Sequence, residues 1–186
     1  MPFIQTGIRD LLVFEPRVFE DPRGYFFEAY NQKTFSDEGV VMNFIQDNQS
    51  YSTYGVIRGL HYQLNPYAQS KLVRVLVGEI LDVAVDIRKG SPTFGKHFSI
   101  RLSAENKKQL LLPAGFAHGF SVLSDSATVL YKCDQFYSRE SEGGIIFNDD
   151  DLAIDWQLPL DKAIVSDKDR QLPSFAHCLN NFEWKA

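Results

Sequence analysis

Arg58-Gly59-Leu60-His61-Tyr62-Gln63 is followed, ten residues after the histidine, by Lys71 in Gln69-Ser70-Lys71-Leu72-Val73-Arg74. The spacing puts an imidazole, an ammonium and two guanidiniums on a strand, a loop and the start of the next strand. A ketone that is to lose a proton from the carbon beside its carbonyl needs such a pair. The base takes the proton, and the cation steadies the charge that develops on oxygen. Two arginines nearby suit a diphosphate, because a planar fork of donors matches its oxygens. The segment points to carbanion chemistry on a phosphorylated or nucleotide-linked keto compound.

The elements that must hold these groups are strands. Leu81, Val83, Val85 and Ile87 alternate with Asp82, Ala84, Asp86 and Arg88, as a strand with unequal faces does. Leu72 to Val77 precede them, and Gly78-Glu79 between the two reads as a hairpin turn. Lys89 to Pro92 is the next turn, and Phe98, Ile100 and Leu102 alternate in a third strand. Ser103 to Lys107 is a polar turn before a short strand over Gln109 to Leu112, stopped by Pro113. Phe120–Leu123, Ala127–Cys133 and Gly144–Phe147 complete the strand candidates. Helical signals are few: Asn31 to Glu38, stopped by Gly39, and a turn or two after Asp167. Many short strands with regular turns predict an all-β sandwich or barrel, compatible with a jelly roll.

The 186 residues, with neither repeat nor linker, predict one domain over 1–186. Apolar residues make up 44% and charged residues 23%, the balance of a soluble globular protein. A net charge of -5 argues against broad nucleic-acid binding, although a pocket can be basic on an acidic protein. Cys133 and Cys178 have no metal-type spacing, and free thiols are expected. The N-terminus lacks the pattern of a secretion signal, and no apolar run reaches a membrane span. A cytoplasmic protein with no membrane partner is expected.

Further segments extend the constellation: Asp21 to Glu28, Gln46-Asp47-Asn48, Pro113 to Phe120, Tyr131-Lys132 and Ser166 to Asp169. In this order and spacing, together with His61 and Lys71, they closely resemble the dTDP-4-dehydrorhamnose 3,5-epimerase family from near Gly7 to near Phe175. The resemblance implies a cupin-type jelly roll working as a homodimer in nucleotide-sugar synthesis, with a dTDP-sugar as substrate. It implies catalytic roles for His61 as proton acceptor, Asp169 as its partner, Lys71 at the enolate oxygen and Tyr131 as proton donor. It implies substrate contacts at Arg23, Phe26, Glu28, Gln46, Asp47, Asn48, Arg58, Lys71, His118, Glu142 and Lys168, and a base-stacking ring at Tyr137. Arg23 and Glu28 would reach across the dimer. The spacing alone leaves Asp167 as a rival to Asp169. Phe136 stands where relatives can carry a second tyrosine, and the tail Cys178 to Ala186 matches nothing in the pattern. Phe26 and Phe27 alternate faces on a strand, which places at least one in the core. His97 and His177 are expected at the surface.

The implied reaction needs neither a redox nor an organic cofactor, and no metal. A metal-dependent cupin would need a close His-x-His pair and a carboxylate, whereas this motif offers His61 alone. His118 is the one candidate partner, and Lys71 would repel a cation. A monoepimerase or ketoisomerase on a related dTDP-sugar would use the same base and fold. A non-catalytic sugar-binding module would not be expected to keep His61, Lys71, Tyr131 and Asp169 together.

Overall fold

The computed structural model describes residues 2–184. In chain order its strands are β1 (Phe3–Gln5), β2 (Leu12–Phe14), β3 (Phe19–Asp21), β4 (Gly24–Phe26), β5 (Gln46–Thr53), β6 (Ile57–Gln63), β7 (Lys71–Val77), β8 (Glu79–Asp86), β9 (His97–Ser103), β10 (Gln109–Leu112), β11 (Phe116–Val122), β12 (Ser126–Cys133) and β13 (Glu142–Gly144). Two short α-helices accompany them, α1 (Gln32–Asp37) and α2 (Asp167–Arg170). One sheet runs β1-β2-β10-β7-β12-β5 and the other β13-β6-β11-β8-β9, while β3 and β4 form a separate hairpin. This is the expected all-β jelly roll. No helix among the described residues is long and apolar enough to cross a membrane.

Period-two alternation explains the layering. Val73 and Val75 of β7, Val129 of β12, Ala84 of β8 and Phe120 and Val122 of β11 face one another between the sheets. The alternate residues of the five-stranded sheet, among them Leu81, Val83 and Val85, face outward. They are covered by the later chain through Ile145, Phe147, Trp156 and Val165. A smaller cluster on the far side of the other sheet joins Phe14, Leu72 and Leu111 to Phe35 of α1. Each fully buried large side chain contributes about 1.5–3 kcal/mol. α1 begins at Asn31, whose side chain accepts from the N–H groups of Lys33 and Thr34, and Gly39 follows it at φ 81°.

Gly78 corrects the expected hairpin. β7 pairs with β10 and β12, whereas β8 pairs with β11 and β9, so the chain crosses from one sheet to the other at this corner. Gly78 has φ 79°, and a Cβ there would lie 2.0 Å from Ser126 O. The corner needs glycine as much as a hairpin would, and local pattern does not distinguish the two. β11 begins at Phe116 rather than Phe120, because Ala117 and Gly119 hide the alternation. The last strand is Glu142–Gly144 rather than Gly144–Phe147, since the chain turns off the sheet after Ile145 bonds with Leu60. Phe26 and Phe27 are both outside the core, because β3 and β4 lie on neither main sheet. His97 and His177 are exposed as expected.

The unmatched tail runs back along the five-stranded sheet. Phe182 is buried beside Tyr62, Asn181 exchanges hydrogen bonds with Asn65, and Lys89 N donates to Phe182 O at 3.0 Å. The Arg88 guanidinium stacks 4.5 Å over the Trp184 ring. Lys185 and Ala186 lie outside the described residues.

Candidate active site

A cavity of about 540 Å³ opens at the end of the sandwich where β6 and β12 finish and β7 begins. The six-stranded sheet gives it Gln46 and Asn48 of β5, Lys71 of β7 and Tyr131 of β12. The facing sheet gives His61 and Gln63 of β6 and Glu142 of β13, and α2 adds Lys168 and Asp169. Leu60 and Tyr62 point the other way into the outer core, which turns His61 and Gln63 inward. Gly59 allows this strand to lie close against β11. Its φ is 124°, and a Cβ there would stand 2.6 Å from Gly119 Cα.

His61 Nε2 and Asp169 Oδ1 are 2.8 Å apart, and Asp169 is only 4% exposed. The other carboxylate oxygen accepts from Gly59 N at 3.2 Å. Ser166 caps α2 by accepting from Asp169 N at 3.1 Å, which fixes the backbone of that aspartate. Burial would raise the Asp169 carboxyl, but its hydrogen bonds, from His61 foremost and from Gly59, hold it low. A carboxylate accepts hydrogen bonds without donating, so Nε2 carries the proton and Nδ1 keeps a free lone pair. Asp167 is exposed, which resolves the choice between the two aspartates.

Lys71 and Tyr131 stand together across the cavity. The Lys71 ammonium lies 5.8 Å from the centre of the Tyr131 ring. Burial lowers the lysine's pKa, while the Cys133 thiol and Asp82 push it back up. Such a cation gains from a negative charge that forms beside it. Burial, reinforced by Cys133, raises the Tyr131 phenol, and Arg58 partly opposes the rise. The hydroxyl is therefore kept protonated. At the rim, Lys168 Nζ meets Glu142 Oε2 at 2.7 Å. Burial would raise the Glu142 carboxyl, but hydrogen bonds from Lys168 and Tyr137 hold it low. Tyr137 is 58% exposed at the same rim.

Six expected contacts are not on this wall. Asp47 falls on the outer face of β5, between Gln46 and Asn48, and pairs with Lys132 Nζ at 2.9 Å. The Arg58 guanidinium is tied to Ser52 Oγ at 2.9 Å and to Tyr51 O. His118 lies directly beside His61 in the ladder, yet it is buried with its Nε2 2.7 Å from Asp82 Oδ1. Arg23, Phe26 and Glu28 belong to the β3–β4 hairpin and the stretch after it. Arg23 pairs with Asp21 at 2.6 Å, and Phe26 is 67% exposed. Glu28 lines a second cavity of about 470 Å³ with Phe14, Arg17 and Phe19. Among the described residues no three His, Cys, Asp or Glu side chains group as metal ligands.

The cavity also uses residues outside the expected set, including Gln63, Gln69, Arg139, Leu172 and Leu179. Gln63 was within reach of the pattern, since it shares the His61 face two residues on. Leu172 and Leu179 come from segments with no periodicity that would announce them.

The family model for dTDP-4-dehydrorhamnose 3,5-epimerase matches residues 5–177. The Shigella flexneri dTDP-4-dehydrorhamnose 3,5-epimerase is 58% identical over 170 residues, covering 91% of this chain and 93% of that protein. A solved dTDP-6-deoxy-D-glucose-3,5-epimerase from Legionella pneumophila, in complex with dTDP-4-keto-L-rhamnose, superposes with a TM-score of 0.94. It is 45% identical and the match covers 99% of this chain and 98% of that one. A 3'-monoepimerase from Streptomyces bikiniensis, in complex with dTDP-quinovose, is 34% identical with a TM-score of 0.84, over 91% of this chain and 85% of that one.

Proposed function

The chain belongs to the dTDP-4-dehydrorhamnose 3,5-epimerase family, and from that we propose its reaction and the parts its residues play. It is an isomerase that inverts carbons 3 and 5 of dTDP-4-dehydro-6-deoxy-D-glucose, giving dTDP-4-dehydro-L-rhamnose. The observation that carries the mechanism is the 2.8 Å contact between the partly exposed His61 imidazole and the buried Asp169, opening on the same cavity as Lys71 and Tyr131.

The carbonyl at carbon 4 acidifies the hydrogens at carbons 3 and 5. His61 Nδ1 removes one of them, and Asp169 stabilises the imidazolium that results. The electron pair moves onto the carbonyl oxygen as an enolate, beside the Lys71 ammonium. Tyr131 returns a proton to the opposite ring face, because it projects from the opposite sheet. Each cycle inverts one centre and leaves an imidazolium and a tyrosinate; exchange with solvent takes the proton from His61 and returns one to Tyr131 before a second cycle inverts the other centre. The nucleotide supplies binding energy that holds the sugar between base and acid. Gln46, Asn48, Glu142 and Lys168 supply polar contacts to it, and Tyr137 offers an exposed ring for the base. The steps call for no redox or organic cofactor.

The protein works as a homodimer of single-domain chains. The β3–β4 hairpin supports this, since it carries Arg23, Phe26 and Glu28 away from the chain's own cavity. Its Phe19, Tyr25 and Phe26 are 50%, 59% and 67% exposed, an apolar surface that a second copy would cover. Arg23 would then add its guanidinium to the partner's site.

The test is deuterium uptake. The protein is incubated with dTDP-4-keto-6-deoxyglucose in heavy water and label is followed at carbons 3 and 5 by NMR. Label at both carbons with inverted product is expected. Label at carbon 3 alone would make the protein a monoepimerase, and no label at either would remove the substrate.

A further inference from the structure

We propose that Gln63 is a positioning residue whose carboxamide grips the backbone on both sides of Tyr137 and so sets that ring relative to the catalytic strand. The inference rests on the nucleotide-sugar reading above. Gln63 is 5% exposed and shares the inward face of β6 with His61. Its Nε2 donates to Phe136 O at 3.2 Å, and its Oε1 accepts from Ser138 N at 2.7 Å. These two groups flank Tyr137 directly. The second Nε2 hydrogen goes to Tyr67 O at 2.6 Å, on the loop between β6 and β7.

One side chain thus joins the strand of the base to both loops at the cavity mouth. The chemistry demands an amide. Two carbonyls need two donors and one N–H needs an acceptor, which a carboxamide supplies and a carboxylate or hydrocarbon does not. Neighbouring bonds stitch the same two loops. Gln69 Nε2 donates to Gln135 O at 2.7 Å, and Ser70 N donates to Asp134 Oδ1 at 2.6 Å. Those bonds hold the loops to each other, whereas Gln63 alone among the three ties them to the strand that carries His61. A residue that merely satisfied buried backbone would affect stability without selecting any part of the ligand.

The experiment separates those roles. Gln63→Met conserves volume and removes the grip; Gln63→Glu keeps size and polarity and serves if the first variant does not fold. Affinity for dTDP is measured by calorimetry, with kcat and KM for the keto sugar, in wild type, in Tyr137→Ala and in the double variant. Removal of the grip should raise the dTDP Kd and the KM by about tenfold, within the range that base stacking on an aromatic ring supplies. The kcat should stay within about threefold, and in the Tyr137→Ala background the Gln63 change should add nothing. An equal factor in both backgrounds would overturn the proposal, as would a lowered melting temperature with Kd and KM unmoved. Tyr137→Ala weakening dTDP while the Gln63 variants do not would sink the clasp and leave the nucleotide reading standing. A wild-type protein that fails to bind dTDP would sink that reading itself.

Discussion

Asp169→Asn should leave the site assembled and remove most of its turnover. The wild-type carboxylate accepts from His61 Nε2 at 2.8 Å and from Gly59 N at 3.2 Å. Asparagine keeps an oxygen for Gly59 but turns an N–H toward the imidazole. Nε2 then becomes the acceptor, and the ring proton moves to Nδ1, the nitrogen that must be free to act as base. A hydrogen bond to a charged partner is worth about 1.5–3 kcal/mol, or roughly 10- to 150-fold in kcat. The inverted tautomer carries the combined loss to about 10²–10⁴-fold. The charge on His61 exists only after proton removal, so the loss belongs in kcat and dTDP affinity should be unchanged. Steady-state rates with deuterium exchange at carbons 3 and 5 measure it. A fall of less than about tenfold, below the low end of the hydrogen-bond estimate, would refute the dyad. Acid unfolding gives a second readout. The carboxyl is held below its ordinary value, so it adds stability above its unfolded pKa of about 3.9, lost as the pH falls through the folded value. The asparagine variant lacks that increment, and its stability should decline less steeply than wild type below about pH 4.

Two further outcomes test the division of labour. Tyr131→Phe should abolish inverted product while solvent exchange persists, because His61 still removes and returns a proton on its own face; equal loss of both would undo the roles. Arg23→Ala in one chain of a mixed dimer should impair the partner's site, read from the turnover of dimers with one inactivated base. Activity that tracks each chain's own arginine would exclude a shared site.

Much of this was legible in the sequence because alternation is a local property. Leu72 to Val77 and Ala127 to Cys133 show their faces without any knowledge of their neighbours. Which sheet a strand joins is not local, and Gly78 shows the limit. The same φ serves a hairpin or a crossing, and only pairing with β10 or β11 decides. Alternation applied to Gln46-Asp47-Asn48 would have turned Asp47 outward. Nothing local distinguished Asp169 from Asp167, since the choice depends on how Ser166 starts α2 against β6. The tail carried no pattern, and its anchors are long-range: Phe182 against Tyr62, and Asn181 to Asn65.

His61 and Tyr131, the proposed base and acid, ride on different sheets. The gap between them is consequently the thickness of the sandwich, and its spacers are Val73, Val129, Phe120 and their neighbours, which never meet the sugar. Under the proposed mechanism, stereochemistry depends on a distance held by hydrocarbon. A chain that shifted one sheet by a fraction of an ångström would keep every catalytic residue and still change how often a departing proton is replaced from the other side.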